Sequence, residues 1–151
     1  MSLLDSQNKT QLSNMNDMFK VDVHAYILSS GTYPPLKDLR LIHNLKNKIE
    51  QVYSKNILST LSKLNNPQHY CFAKNEEMEI YFSMCEYRTS IYDSNNVLRW
   101  LELRIKVTFI FKDNEDMSVD TMYYGLTINI LTDEVREFVR NSVSKISSKK
   151  N

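Results

Sequence analysis

The chain has 151 residues, 42% of them hydrophobic, which is the size and apolar content of one folded domain: residues 18–147 are expected to form it, with 1–17 a polar tail and 148–151 a basic end. Lys and Arg number 19 against 18 Asp and Glu, so the net charge gives no long-range field for nucleic acid or anionic lipid. Two glycines and three prolines exclude Gly-rich phosphate loops and long flexible linkers, and no run approaches the roughly 18 apolar residues of a membrane span.

Residues 1–17 are rich in Gln, Asn and Ser and carry too little apolar surface to offset ordering entropy. They also lack the apolar block of a secretion signal, so a cytoplasmic or nuclear location is expected. Abundant Asn, Lys, Ile and Tyr point to an AT-rich genome, such as that of a virus, a parasite or a yeast. From Phe19 the pattern is double. Phe19, Val21, Val23, Ala25 and Ile27 alternate as in a strand, whereas Met15, Met18, Phe19, Tyr26 and Ile27 also line one face of a helix. Gly31 and Pro34-Pro35 end this element.

Asp38 is a candidate N-cap for the longest helix, whose core face runs Leu39, Ile42, Leu45, Ile49, Val52, Leu61, Leu64. Its far side carries Lys46, Lys48, Glu50, Lys55 and Lys63. The pattern loses register between Ser54 and Asn56, where a break is expected, and Asn65-Asn66-Pro67 stops the helix. Residues 69–73 offer a short edge strand. Met78, Ile80, Phe82 and Met84 alternate, with a change of phase at Cys85 and Glu86 that reads as a bulge or turn.

Leu101, Leu103, Ile105, Val107, Phe109 and Phe111 alternate with Glu102, Arg104, Lys106 and Thr108, which predicts odd positions in the core and even ones towards water. Met122, Tyr124, Leu126, Ile128 and Ile130 form a matching strand, and Asp113-Asn114-Glu115-Asp116 supplies the hairpin. Thr132 caps a last helix with Asp133 and Glu134 in its first turn and Val135, Phe138, Val139, Val143 and Ile146 on its core face. The fold class is therefore α+β: an antiparallel sheet of about four strands, packed on one face by a long central helix and a C-terminal helix.

Few residues have the spacing that chemistry needs. His24, His43 and His69 form no metal-ligand pattern, and His69 with Cys71, two apart on a strand, is the nearest approach to a nucleophile with a base. Alternation equally sends Cys71 into the core, so Cys71 and Cys85 are read as small buried thiols. The acidic groups Glu76-Glu77-Glu79 and Asp113, Glu115, Asp116, Asp120 lack the ligand spacing and central Gly of a calcium loop and read as solvated turns. Phosphate-loop, dinucleotide and nucleophile-elbow signatures do not occur. No enzyme, metal, cofactor, small-molecule substrate or membrane partner is expected.

Val21-Asp22-Val23-His24-Ala25-Tyr26-Ile27-Leu28, followed by Gly31-Thr32-Tyr33-Pro34, resembles the first helix of HORMA domains, the partner-peptide clamps of checkpoint, repair and autophagy proteins. The resemblance implies a helix there, the hairpin at 101–131 and the helix from Asp133 in HORMA order, and capture of a partner peptide. Residues 36–95 depart from the family, and those after the last helix are too few for the strands of the closing segment.

By elimination the expected function is a non-catalytic protein-interaction or assembly module, either a subunit of a complex or a homo-oligomer. The expected binding surface is the polar side of the sheet, with Tyr81, Glu102, Arg104, Lys106, Tyr123 and Asn129, because Tyr and Arg are favoured at interfaces. Tyr81, Arg104 and Tyr123 are expected to be neighbours across adjacent strands. A second reading is a nucleic-acid-binding accessory protein that uses the sheet face and the basic end of the last helix, with Arg136, Arg140, Lys145, Lys149 and Lys150. A third is the HORMA-like peptide clamp.

Overall fold

The computed structural model of the chain describes residues 21–28, 39–113 and 116–150, with side chains over 21–28, 39–112 and 117–142. The elements run β1 (Val21–Ile27), α1 (Leu39–Ser62), β2 (Tyr70–Lys74), β3 (Met78–Tyr92), β4 (Leu98–Asp113), β5 (Asp116–Ile130) and α2 (Asp133–Lys150). The expected tail, the Asp38 cap, the turn at Gly31 and Pro34-Pro35, Met15, Met18 and Phe19, Asn114 and Glu115, and the side chains of Val143, Lys145, Ile146, Lys149 and Lys150 lie outside the described residues. No described helix is long and apolar enough to cross a membrane.

All strands are antiparallel, in the order β1-β5-β4-β3-β2. Among the described residues the sheet thus has five strands where about four were expected. The additional strand is β1, which pairs with β5 from Val21↔Ile130 to Ile27↔Tyr124. Val21, Val23 and Ala25 face the core while Asp22, His24 and Tyr26 face solvent, so the period of two overrides the competing helical pattern. The helix that the HORMA likeness implies at this segment is a strand.

Parity holds along β4. Leu101, Leu103, Ile105, Val107 and Phe109 are fully buried, whereas Glu102, Arg104, Lys106 and Thr108 are half-buried on the other face and Phe111 is half-buried near the strand's end. Beside them on the same face of the sheet, β5 buries Met122, Tyr124, Leu126, Ile128 and Ile130, and β3 buries Ile80, Phe82 and Met84. A bulge between Met84 and Glu86 shifts the register at the expected place. Both cysteines are exposed, contrary to expectation. Cys71 lies opposite Tyr81 on the outward side of β2, and Cys85 is the residue that the bulge leaves unpaired.

Helix α1 fills the concave side of this sheet with Leu45, Ile49, Tyr53 and Ile57, and it breaks at Asn56 (φ −123°, ψ 17°), where Asn56 Nδ2 donates to the Val52 carbonyl at 2.8 Å. The break re-phases the helix so that Ile57 and Leu58 are both buried, which is why the apolar spacing loses register there. The Tyr124 hydroxyl, with its pKa pushed by burial up to about 12, donates to the Ile42 carbonyl at 3.1 Å and ties β5 to α1.

Helix α2 starts as read, with Thr132 Oγ1 accepting from the Val135 amide at 3.3 Å, and buries Val135 and Val139. Arg136 docks this helix on the sheet: its Nε donates to the Leu98 carbonyl at 2.9 Å while its guanidinium pairs with Asp133. At the β3–β4 turn, Asp93 accepts from the amides of Asn95 and Val97 and from Arg99, and Asn96 takes the left-handed conformation (φ 62°) that asparagine tolerates.

The sheet must curl, and two residues of α1 show by how much. Glu50 Oε2 accepts the Ala25 amide of β1 at 2.8 Å, while the Tyr53 ring packs edge-on against Tyr70 of β2 at 5.9 Å between centroids. A flat five-stranded sheet would hold those edges about 19 Å apart. Side chains three residues apart on one helix reach both, so the edges bend towards each other around α1.

The Tyr53 hydroxyl is buried beside the Met84 amide without a hydrogen bond of good geometry, and burial raises its pKa. Tyr53→Phe should therefore be neutral or stabilise by about 1 kcal/mol, because it removes an unmatched polar atom. Tyr53→Ala should cost about 3 to 5 kcal/mol by opening the aromatic cluster with Tyr70 and Phe82. Urea denaturation of both variants checks the pair of outcomes.

Candidate docking surface

The face of the sheet turned away from the helices is built from the alternate positions of all five strands. Register sets its rows. Going from β3 to β5, Tyr81 lies opposite Thr108 and then Thr121; Ser83 opposite Lys106 and Tyr123; Glu86 opposite Arg104 and Gly125; Thr89 opposite Glu102 and Thr127. Strand β1 extends the last two rows with Tyr26 beside Gly125 and His24 beside Thr127, and one row further Trp100, Asn129 and Asp22 align.

All six expected residues, Tyr81, Glu102, Arg104, Lys106, Tyr123 and Asn129, share this face, but they are not one cluster. The Arg104 guanidinium sits over the Tyr123 ring, 4.2 Å from its centroid, and its Nη1 lies 3.6 Å from Glu86 Oε2. That is a diagonal pair from neighbouring rows, within reach of long side chains. Tyr81 is not their neighbour. It lies two rows from Arg104, roughly 13 Å along the strand, because the Tyr81↔Thr108 pairing places Ser83 and Lys106 between them.

Tyr81 belongs instead to a charged group at the other end of the face. Its hydroxyl donates to Glu79, which also receives Lys112 Nζ at 2.6 Å and Lys74 Nζ at 3.9 Å. The hydrogen bond to the Glu79 carboxylate pushes the Tyr81 pKa up to about 12, and bonds from Lys112 and Tyr81 hold the Glu79 pKa below its usual range. Asn129 is likewise apart from Arg104, between Trp100 and Asp22.

Sequence spacing missed Tyr26, whose phenol lies across Gly125 and donates to Glu102 Oε2 at 2.8 Å. Glu102 also accepts Thr127 Oγ1 at 3.4 Å, and burial, followed by the Glu102 contact, raises the Tyr26 pKa. The signal that could have found Tyr26 is the glycine. A Cβ at Gly125 would stand 2.2 Å from the Tyr26 ring, so the ring can lie across the middle of β5 only while this position lacks a side chain. Around the centre of the face, Tyr26, Tyr123 and Arg104 thus form an aromatic and guanidinium surface whose side chains are already held by Glu102 and Glu86.

The sheet's edges are less open. At β1, Glu50 occupies an outward amide, and Lys46 at 3.3 Å steadies the carboxylate. Strand β2 is 5 residues long with a register shift between Cys71 and Ala73. Beyond Phe82, β3 has no strand neighbour on that side among the described residues, and it is kinked by bulges at 84–86 and 87–89. Short, bulged and capped edges resist strand addition.

Among the described residues no three His, Cys, Asp or Glu side chains converge as metal ligands, so His69 and Cys71 have no third partner, and Glu76 and Glu77 are exposed. Burial raises the pKa of the Cys85 thiol, which lies 3.4 Å from the Arg104 carbonyl. A notch of about 20 Å³ between α1 and β2, lined by Tyr53, Ser59, Lys63, Gln68 and Tyr70, has room for about one water molecule. Comparison of the chain with family models, curated proteins and solved structures gives no match.

Two outcomes follow from these contacts. Gly125→Ala should push Tyr26 off the face and return its phenol pKa towards the ordinary value, as read by ultraviolet titration, while stability changes by less than about 1 kcal/mol because the displaced ring is at the surface. Glu79 has a folded-state pKa below its unfolded one, so its contribution is complete above the unfolded value and is lost as pH falls through the folded one. Glu79→Gln should flatten the fall in melting temperature on acidification below about pH 4.5 and have little effect on its shape near pH 7.

Proposed function

We propose that the chain is a non-catalytic interaction module that docks a protein partner, or a second copy of itself, on the outer face of β4 and β5. The observation that carries this reading is the surface made by Arg104 on Tyr123 beside Tyr26 on Glu102. Aromatic and guanidinium groups are the residue types enriched where interfaces gain most of their energy. Their existing contacts also lower the entropy lost when a partner immobilises them. The edges resist strand addition, which favours association through the face.

Sedimentation of the full chain, alone and as purified from its source, measures the particle that this reading requires. Replacing Arg104 and Tyr123 by Ala should leave stability within about 0.5 kcal/mol while weakening association by more than about 1 kcal/mol. The association should depend little on salt, since exposed ion pairs on this face add less than about 1 kcal/mol each. A double variant that associates as the parent does would overturn the assignment of this face.

A further inference from the structure

We propose that the solvent face of α1, on the opposite side of the molecule, docks on the phosphate backbone of duplex DNA. From Arg40 to Lys63 every exposed side chain is a cation, an imidazole, an amide or a hydroxyl; none is a carboxylate and none is aromatic. The single acid of this segment, Glu50, is turned aside onto the Ala25 amide and Lys46. Lys48, Lys55 and Lys63 have no ion-pair partner among the described residues. Lys48 and Lys55 stand about 10 Å apart along α1, and Lys63 follows its last residue, Ser62. The net charge of +1 conceals this asymmetry, because the other described acids lie on the sheet and its turns, as Glu79, Glu86 and Glu102 do, or on α2, as Asp133, Glu134 and Glu137 do.

An acid-free row of cations fits a polyanion, and the remaining side chains select among polyanions. A single strand would need aromatic platforms for its bases, and this face has none. An anionic membrane would need apolar side chains beside the cations, and none is exposed after Leu39. Interspersed amides such as Asn44, Asn47 and Gln51 donate well to phosphates and groove edges. A helix fits the wide major groove of B-form DNA but not the narrow one of an RNA duplex. The partner is therefore double-stranded DNA, bound mainly through its backbone.

Fluorescence anisotropy of a labelled duplex of about 20 base pairs, titrated with the full chain between about 50 and 200 mM salt, tests this. The expected dissociation constant is in the range of about 10⁻⁶ to 10⁻⁴ M, steeply weakened by salt. Lys48→Glu, Lys55→Glu and Lys63→Glu together should weaken binding at least about tenfold and reduce the salt slope by about 2 to 3. The melting temperature should hold, and the milder Lys→Gln triple variant gives the same direction if the charge reversals unfold the chain. Arg88→Ala, at an exposed cation on the sheet, should leave duplex affinity unchanged. Absence of binding at the lowest salt, equal binding by the triple variants, or tighter binding to single-stranded DNA, duplex RNA, polyglutamate or phosphatidylserine vesicles than to the DNA duplex overturns it.

Discussion

Glu50 and Tyr53, less than one turn apart on α1, reach opposite edges of the sheet, and most of the remaining structure depends on that span. Strands of 15 and 16 residues twist strongly, and a sheet built from them coils rather than stays flat. Its concave side needs a filling that is apolar towards the strands and tolerates backbone groups at the rims. Helix α1 supplies both. Leu45, Ile49 and Ile57 fill the trough, and the Glu50 carboxylate takes up an amide that β1 presents outwards.

Curling has a second consequence, on the convex side. Splayed side chains on a convex sheet surface need lateral support to stay in place. Here Arg104 lies on Tyr123, Tyr26 fills the gap above Gly125, and Glu79 gathers Lys112, Lys74 and Tyr81. Each of these contacts is worth little by itself at a surface, about 1 kcal/mol or less. Their combined effect is an ordered face with polar rims and an aromatic centre, which is the property a docking surface uses.

Strand β4 was legible from its residues because from Leu101 to Phe109 one face is apolar and the other polar, so a period of two has no competitor there. Its pairing with β5, the α2 cap at Thr132 and the break in α1 near Asn56 were legible for similarly local reasons. The fifth strand was not. In β1 the residues Tyr26 and Ile27 are adjacent and both exposed, which breaks the alternation at its end and lets a helical face be drawn through the same residues. Only the long-range pairing with β5 decides the matter, and spacing within a segment carries no information about it. Burial of Cys71 and Cys85 failed for a related reason: thiol hydrophobicity is a weak force beside the register of β2 and the bulge in β3.

The candidate face was legible by parity but not by neighbourhood. Parity correctly put Tyr81, Arg104 and Tyr123 on one side; whether they touch depends on which residue of β3 lies opposite which residue of β4. One bulge shifts everything beyond it by a residue, so Glu86 rather than Cys85 lies opposite Arg104, while Tyr81, on the near side of the bulge, stays two rows away. Tyr26 and Gly125 illustrate the complementary difficulty. A glycine inside a strand signals a close approach, but the group that approaches comes from a strand nearly one hundred residues earlier in the chain. Local pattern therefore determines which side of the sheet a residue occupies, and its partners there follow from register, set jointly by bulges, by the one missing side chain on β5 and by the helix that draws the two edges together.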